Sequence, residues 1–414
     1  MPCSNHVNGA TCLCATIELF HFLIQPSFLE LITFFGCVGI TTKYRMSQPV
    51  RIGIFGTSSI ARKNIEAIHK AEGVEAVIVG SRSAERAEQY AKENNVPRSC
   101  GSYEELLADP EVDAVYMPLP TSLHLQWVKK AADKGKHILC EKPVAVHTQE
   151  LIEMLEYTKS KNVAFLDGLM FQHHPRLGKM LSSISSGACG VSGVRHVNSA
   201  FAFRGNSDFF KNNIRVKLDG DPLGCLGDLG WYNVRFSLAA FGYELPSSVR
   251  GVMHSATEEG VPLHLSATMT WEDDDSTKQP PTDLSIGAPR TATFFCSFLH
   301  TEQQMATLSG DDAVIEMEDF VIPFSPTSAA YAIRKHVWGQ RAKSIMRKNE
   351  NITVDGNQEQ LMWTAFSCLC QGTAIEERKR YADLMLKTQA CVNAILESAK
   401  GNGAAVAPLN LTQN

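Results

Sequence analysis

The sequence predicts an α/β protein, with a doubly wound parallel sheet in its first half and a larger sheet in its second. Short apolar runs alternate with helical segments between residues 51 and 166, an order typical of a parallel sheet. From residue 249 to residue 317, alternating runs follow one another without intervening helices. The 414 residues, 44% hydrophobic and 20% charged, form an ordinary soluble composition with material for two or three domains.

The first half is predicted to contain strands and helices in strict alternation. Ile60, Ile65 and Ile68 form part of an apolar stripe on the first helix, and Ser102 is placed to begin the third. Because ligands of such sheets bind at the carboxyl ends of the strands, the site is expected there. The predicted strands are 51–55, 75–80, 114–117, 137–140 and 163–166. The predicted helices are 60–70, 84–94, 103–108, 123–134 and 148–159.

The second half is predicted to be a run of strands flanked by helices, which fits a large sheet with helices on one face. The polar segment 272–290, with two adjacent prolines, is predicted to be an exposed loop between two strands, and 401–414 a loose tail. The predicted strands are 193–203, 249–255, 263–271, 291–299, 303–308 and 313–317. The predicted helices are 223–241, 358–372 and 374–398.

The first residues differ in composition from the rest of the chain. Residues 1–42 carry only two formal charges, Glu18 and Glu30, and their apolar runs are shorter than the roughly 20 residues of a membrane helix. No positively charged or arginine-rich stretch of a targeting peptide occurs there. We predict that residues 1–49 are a disordered or non-native leader and that Met46 opens the working protein. A membrane or organelle address and a packed role remain alternatives.

Charge and cysteine usage exclude several classes of protein. The 39 basic and 44 acidic side chains give a net charge of −5 without a basic block, which disfavours a nucleic-acid binder. The twelve cysteines include no C-x-x-C pair, and no H-E-x-x-H occurs. We therefore predict reduced thiols, no bound metal, no membrane partner and a cytoplasmic location.

The first strand-to-helix turn is the place to look for phosphate binding. The dinucleotide fingerprint G-x-G-x-x-G maps onto Gly56, Ser58 and Ala61, so only its first glycine is present, although all three residues are small. A tight turn and a helix N-terminus would still present free N–H groups to a pyrophosphate. We predict cofactor contacts from Gly56, Ser58, Ser59 and Ile60, with an ordinary strand–turn–helix as the alternative.

The end of the second strand distinguishes between the two nicotinamide cofactors. An NAD site places Asp or Glu there to bind the ribose 2′-hydroxyl, whereas this strand ends in Gly80-Ser81-Arg82-Ser83. Arg82 can stack on adenine and pair with a 2′-phosphate, and serine hydroxyls such as that of Ser81 can donate to it. The cofactor predicted is NADP, with NAD still possible. The alternative is a solvated arginine in the first turn of a helix.

A lysine follows the strand that ends at Cys140. In Glu141-Lys142-Pro143 the lysine stands at a strand's carboxyl end, and the proline fixes its backbone. With this tripeptide, several stretches resemble the Gfo/Idh/MocA oxidoreductase family over residues 50–398. Those stretches are Arg51-IGIFGTSSIARK-Asn64, Ala114-VYMPLPTSLH-Leu125, His137-ILCEKP-Val144 and Leu223-GCLGDLGWY-Asn233. Parts of them resemble the dihydrodiol and D-xylose dehydrogenase branch, close to uncharacterised plant oxidoreductases that share segments similar to Phe171-QHHP-Arg176 and Asn213-IRV-Lys217.

The resemblance implies a Rossmann domain over 50–168, followed over 169–400 by an α+β domain with a large open, mostly antiparallel sheet. It also implies a homodimer, because the free face of that sheet commonly forms a dimer interface in this family. Lys142 would hydrogen-bond the reacting oxygen and lower the pKa of a neighbouring acid. Tyr232, where many members have histidine, would be that acid/base, and Asp228, four residues earlier, would share its helix face.

Further residues are assigned by the same resemblance. Leu119, Pro120 and His124 belong to the turn expected under the nicotinamide, and Glu141 is also expected to bind cofactor. The substrate-binding candidates are Phe171, His174 and Arg176. Alternatives stay open for several of these residues: Tyr232 at the surface, a packed histidine, and a structural ion pair for Arg176.

The function predicted is that of an NADP-dependent oxidoreductase. It would move a hydride between nicotinamide C4 and a secondary alcohol or carbonyl of a sugar, a cyclic polyol or a trans-dihydrodiol. The first alternative is a non-catalytic protein that senses cofactor occupancy, as some members of this fold do. The second is a lyase-like or glycosidase-like enzyme that uses bound NAD transiently.

Overall fold

The computed structural model describes residues 48–191, 193–272, 290–338, 343–372 and 374–409. The predictions for the leader up to residue 47, including Met46, lie outside the described residues. The same holds for residues 273–289 of the predicted loop and for the last five residues of the predicted tail.

The first sheet is parallel throughout, as predicted. Its strands stand in the order β3-β2-β1-β4-β5-β6, so the chain reverses its direction of winding between β1 and β4. This is the topological switch point at which doubly wound sheets bind ligands. The strands are β1 (Val50–Phe55), β2 (Val74–Gly80), β3 (Arg98–Cys100), β4 (Ala114–Met117), β5 (His137–Cys140) and β6 (Phe165–Asp167).

Five helices connect these strands, and serines begin three of them. The side chains of Ser58, Ser83 and Ser102 each accept a hydrogen bond from the backbone N–H three residues on, which satisfies one of the free donors of a helix N-terminus. The helices begin and end within about two residues of their predicted bounds. They are α1 (Ser59–Ile68), α2 (Ala84–Glu93), α3 (Tyr103–Ala108), α4 (His124–Asp133) and α5 (Thr148–Ser160).

The second sheet has the predicted mostly antiparallel form. Within the described ranges, eight strands stand in the order β14-β13-β12-β11-β7-β10-β9-β8, and of the pairs they form only β7 and β10 run parallel to each other. β13 and β14 were not predicted, because neither alternates cleanly: β13 has apolar residues at adjacent positions, and β14 is mostly polar. The strands are β7 (His196–Arg204), β8 (Ser248–Ala256), β9 (Pro262–Trp271), β10 (Arg290–Ser297), β11 (Leu299–Ser309), β12 (Ala313–Met317), β13 (Ser328–Trp338) and β14 (Lys343–Thr353).

Helices of the second half connect the two sheets. The helix α9 returns to the first sheet, where Met362, Trp363 and Phe366 join its hydrophobic core. Every residue of α8 is buried, and a single π-helical turn, Leu226–Gly230, precedes it. The helices are α6 (Pro175–Ser185), α7 (Ser207–Asn212), α8 (Trp231–Ala240), α9 (Gln358–Cys370) and α10 (Ile375–Lys400).

The segment after α10 is not loose over its described part. Val406 exchanges two backbone hydrogen bonds with Val249 of β8, at 2.8 and 3.0 Å. Within the described ranges, no helix combines the length and the apolar character needed to cross a membrane.

Candidate active site

The turn between β1 and α1 has the form that a dinucleotide requires. Gly56 has φ +79°, a conformation that side chains rarely adopt, and its N–H donates to Gly80 O at 2.7 Å. A Cβ at this glycine would lie 3.3 Å from the Tyr103 hydroxyl. Ser58 caps α1, Ser59 is exposed and Ile60 is half-buried. The helix N-terminus is thus open to an anion, although one serine hydroxyl already caps it.

Two arginines lie near the end of β2. Arg82 is exposed, and Ser81 beside it is buried. Arg86, one helical turn further on, donates from Nη2 to Thr57 Oγ1 at 3.2 Å and so reaches across to the glycine turn. Arg86 was not predicted from the sequence. Its signal was a second arginine, in the first turn of the helix that follows β2.

Lys142, Asp228 and Arg215 meet at the carboxyl end of β5. The Lys142 Nζ atom lies 2.6 Å from Asp228 Oδ1 and 2.8 Å from the Asp228 backbone oxygen, and Arg215 Nε lies 3.0 Å from the same Oδ1. The Lys142 and Asp228 side chains are each 10% exposed, and that of Arg215 is 34% exposed. Burial disfavours the ionised carboxylate, but the two cations outweigh it and hold the pKa of Asp228 well below its usual range.

Tyr232 stands over the same group of charges. Its ring centroid lies 5.1 Å from Lys142 Nζ, and its hydroxyl donates to Met170 Sδ at 3.2 Å, a weak acceptor. Burial, reinforced by the nearby carboxyl groups of Glu141 and Asp228, raises the pKa of Tyr232 well above its ordinary value. The expectation that the lysine lowers this pKa is therefore wrong for this chain, because desolvation and negative charge prevail.

The π-helical turn, Leu226–Gly230, brings Asp228 and Tyr232 to the same lysine. Asp228 lies within the turn and Tyr232 in the first turn of α8, so the two residues do not belong to one regular helix as predicted. Both nevertheless reach Lys142. π-Helical turns occur frequently at functional sites, and no pattern in the local sequence predicted this one.

The loop after β4 is held mainly by internal bonds. His124 is buried, and its two ring nitrogens lie 2.9 Å from the backbone oxygens of Leu119 and Val144. His124 therefore supports this loop from within, and the cofactor contact expected of it is not supported by the geometry. Leu119 is buried and Pro120 half-buried at the start of the following 3₁₀ turn.

The three predicted substrate-binding residues, Phe171, His174 and Arg176, do not lie together in the structure. Phe171 packs against Tyr232 with ring centroids 5.8 Å apart. His174 caps α6 through Nδ1, which accepts from Arg176 N at 3.0 Å, and its buried Nε2 has no partner among the described residues. The Arg176 guanidinium is ion-paired with the Asp319 carboxylate and donates to three backbone oxygens. Arg176 thus makes the structural ion pair left open as an alternative, and the geometry does not support substrate binding by it.

Comparisons with known proteins agree with this fold. The family described as "Oxidoreductase family, NAD-binding Rossmann fold" matches residues 50–168. A D-xylose 1-dehydrogenase (NADP(+)) of Haloferax volcanii is 32% identical over 243 residues, which are 58% of this chain and 70% of that protein. A trans-1,2-dihydrobenzene-1,2-diol dehydrogenase of Xenopus tropicalis is 26% identical over 67% of this chain and 77% of its own.

Other matches span less of the relative, or show the fold alone. An uncharacterised oxidoreductase of Rhizobium meliloti is 37% identical, but the match covers 47% of this chain and only 57% of that protein. The crystal structure of a 3-ketoreductase from Actinomadura kijaniata with NADP and TDP-benzene superposes with a TM-score of 0.69. The two share 21% identity, and the match covers 85% of this chain and 98% of that one.

The fold and the site together define a two-part oxidoreductase whose Rossmann half presents a lysine to a second, sheet-bearing half. The parallel first sheet and the mostly antiparallel second sheet agree with the fold of the ketoreductase structure. The chain belongs to the Gfo/Idh/MocA oxidoreductase family. Within that family it is similar to the branch of D-xylose and dihydrodiol dehydrogenases.

Proposed function

We propose that this protein is an NADP-dependent oxidoreductase acting on a secondary alcohol or the corresponding carbonyl. The observation that carries the proposal is the convergence of Lys142, Asp228 and Tyr232 at the carboxyl end of β5. This position lies on the same edge of the sheet as the turn at Gly56, so one extended cofactor can reach both places.

The preference for NADP over NAD rests on the end of β2. No carboxylate stands there to bind a ribose 2′-hydroxyl, whereas Arg82 is exposed and Arg86 reaches the glycine turn. Guanidinium groups pair with the planar oxygens of a phosphate. The positive φ of Gly56 and the capped start of α1 fit a bound pyrophosphate.

Each site residue then has a distinct task. NADP(H), when bound, supplies hydride chemistry at the C4 position of the nicotinamide. Tyr232, neutral because of its raised pKa, is suited to donate a proton to the substrate oxygen during reduction. Lys142 orients that oxygen through its ammonium group, and Asp228 holds the ammonium in place. Phe171 forms an apolar wall beside the tyrosine.

The substrate class proposed is a sugar, a cyclic polyol or a trans-dihydrodiol. The relatives named for D-xylose and for a dihydrobenzenediol support it. We also infer a homodimer formed through the open face of the second sheet, which is supported by the exposed side chains of Val252 and Met305 on its strands. The cytoplasmic location stays a prediction.

The test is a screen of pentoses, hexoses and trans-dihydrodiols, with both NADP(H) and NAD(H) and in both directions. We expect turnover of at least one substrate, with kcat/KM for NADPH exceeding that for NADH by about tenfold or more. Equal values would contradict the NADP assignment. Tight NADPH binding without turnover of any of these substrates would instead favour the non-catalytic sensor.

A further inference from the structure

A chain of buried hydrogen bonds runs from α9 to the end of β5. Trp363 Nε1 donates to Asn64 Oδ1 at 2.9 Å, and Asn64 Nδ2 donates to the Tyr116 hydroxyl at 2.7 Å. That hydroxyl donates to Glu141 Oε1 at 2.6 Å. Asn64, Tyr116 and Trp363 are at most 2% exposed, so their polar groups depend on protein partners, which are these bonds and one from Asn64 Nδ2 to Ile60 O at 3.1 Å.

The members of this chain belong to different elements around the candidate site. Asn64 lies on α1, which starts at the phosphate turn, and Tyr116 lies on β4, which leads to the loop at Leu119. An ion pair of 2.6 Å between Lys63 and Glu359 joins α9 to α1 a second time. The helix α9 thus holds one end of a hydrogen-bond network whose other end is Glu141, the residue next to Lys142.

The second carboxylate oxygen of Glu141, Oε2, lies outside the side-chain hydrogen-bond network. Within the described part of the chain Tyr116 is the side chain that bonds this carboxylate, at Oε1, and the backbone N–H of Lys142 lies near enough to lower the pKa of Glu141. A Cβ on Gly168 would lie 3.0 Å from Oε1 and 3.2 Å from Oε2. A side chain there would crowd the carboxylate, so the glycine leaves room for the observed orientation.

We propose that Tyr116, held by Asn64 and Trp363, is a positioning residue that fixes the carboxyl group of Glu141 so that its Oε2 faces a ribose hydroxyl of NADP. The inference rests on the proposed function and deepens it. The Tyr116 hydroxyl donates a hydrogen bond to Glu141 Oε1 and accepts one from Asn64 Nδ2. The carboxylate is therefore held in one orientation. An ionised oxygen accepts a hydroxyl hydrogen bond more strongly than a protonated carboxyl group does.

The charges around Glu141 determine how its binding depends on pH. Burial raises the pKa of Glu141, while Lys142, the hydrogen bond from Tyr116 and the charge of Arg215 act to lower it. The titratable groups of Cys140 and Tyr232 also respond to the Glu141 charge. As the pH falls through the raised pKa, Glu141 takes up a proton and Oε2 becomes a weaker acceptor. Loss of the Tyr116 donor raises this pKa further, which moves the change to a higher pH.

The experiment is a titration of the full-length protein with NADPH, followed by nicotinamide fluorescence at a series of pH values. For Tyr116→Phe we expect about tenfold weaker binding at neutral pH, since a hydrogen bond to a charged group is removed. We also expect its loss of affinity in acid to begin at a higher pH than in the wild type. Trp363→Phe should show the same changes to a smaller extent, and Glu141→Gln weak binding that is independent of pH.

The matched control is Tyr331→Phe. It also removes a buried tyrosine hydroxyl, one bonded to Ser183 and to Lys179 O, but in the second sheet. We expect a similar loss of Tm in both tyrosine variants and unchanged NADPH binding in Tyr331→Phe. Wild-type binding by Tyr116→Phe at every pH, or an equal loss in Tyr331→Phe, would overturn the positioning role. A wild-type protein that binds no NADPH would overturn the proposed function itself.

Discussion

The two ends of the candidate site hold their charges in opposite ways. At the proposed catalytic end, Lys142 and Asp228 are buried and bonded to each other, and Arg215 joins them. At the proposed phosphate end, Arg82 and Arg86 are exposed, and the Arg86 guanidinium donates to Thr57. Because a desolvated charge is costly unless it is paired, the catalytic group keeps fixed positions, whereas exposed cations remain available to an incoming anion. We therefore expect the first end to govern turnover and the second to govern affinity.

A third set of charges shows that burial alone does not mark function. Arg176 and Asp319 form an ion pair at least as buried as that of Lys142, and Arg235 and Asp167 are fully buried. The Arg176 guanidinium is held by Asp319 and by backbone oxygens, which agrees with a structural role. What distinguishes Lys142 is its place at a strand's carboxyl end, beside the ring of Tyr232.

The largest effect expected is on turnover in Lys142→Met. We expect kcat to fall by about 10³-fold, because the ammonium that orients the substrate oxygen is lost. NADPH affinity should change little, and the fold should persist because Arg215 still pairs with Asp228. Stopped-flow rates and NADPH titration would measure both quantities.

The matched control for that variant is Lys136→Met. Lys136 is a second buried lysine of the same half, whose Nζ donates to the backbone oxygens of Asp109 and Val112, outside the site. It should lose stability but keep its kcat. A Lys142→Met protein with near-normal kcat would show that the comparison between the two ends is wrong.

A smaller effect, on affinity, is expected at the phosphate end. Replacing both Arg82 and Arg86 by alanine should weaken NADPH binding by about 10- to 100-fold, leave NADH binding unchanged and leave kcat near wild type. The preference of the wild-type protein for NADPH over NADH should also decrease as salt is added, since salt screens exposed charges. The control is Arg98→Ala. Arg98 lies on the neighbouring β3 and is paired with Asp109. Equal losses for NADPH and NADH would argue against a phosphate site.

The smallest change expected is in the pH profile of reduction. Because burial and nearby carboxyl groups raise the pKa of Tyr232, its hydroxyl keeps its proton throughout the neutral range. The rate of reduction should therefore be nearly flat from about pH 6 to about pH 9, whereas the rate of oxidation should rise by up to about tenfold per pH unit. Tyr232→Phe should abolish the rise and slow both directions. A reduction rate that falls through neutral pH would indicate an acid other than Tyr232.

Local patterns were sufficient to predict most of the first half. The alternation of apolar runs and capped helices predicted the first sheet, and the places of Gly56, Arg82 and Lys142 at strand ends led to their prediction as site residues. β3 has only three residues, and β13 and the mostly polar β14 depend on pairing with neighbouring strands more than on their own pattern. These strands were consequently missed.

The sequence by itself determined the alternation of elements, the strand ends and the chemistry available there, because these depend on residues close together in the chain. Only the tertiary structure decided which charges meet. Lys142 and Asp228 are separated by 86 residues, and Trp363 and Asn64 by 299. It also turned Arg176 towards Asp319, 143 residues away, and raised the pKa of Tyr232 by burying it. Such contacts depend on how the sheets and helices pack, and no local spacing encodes that packing.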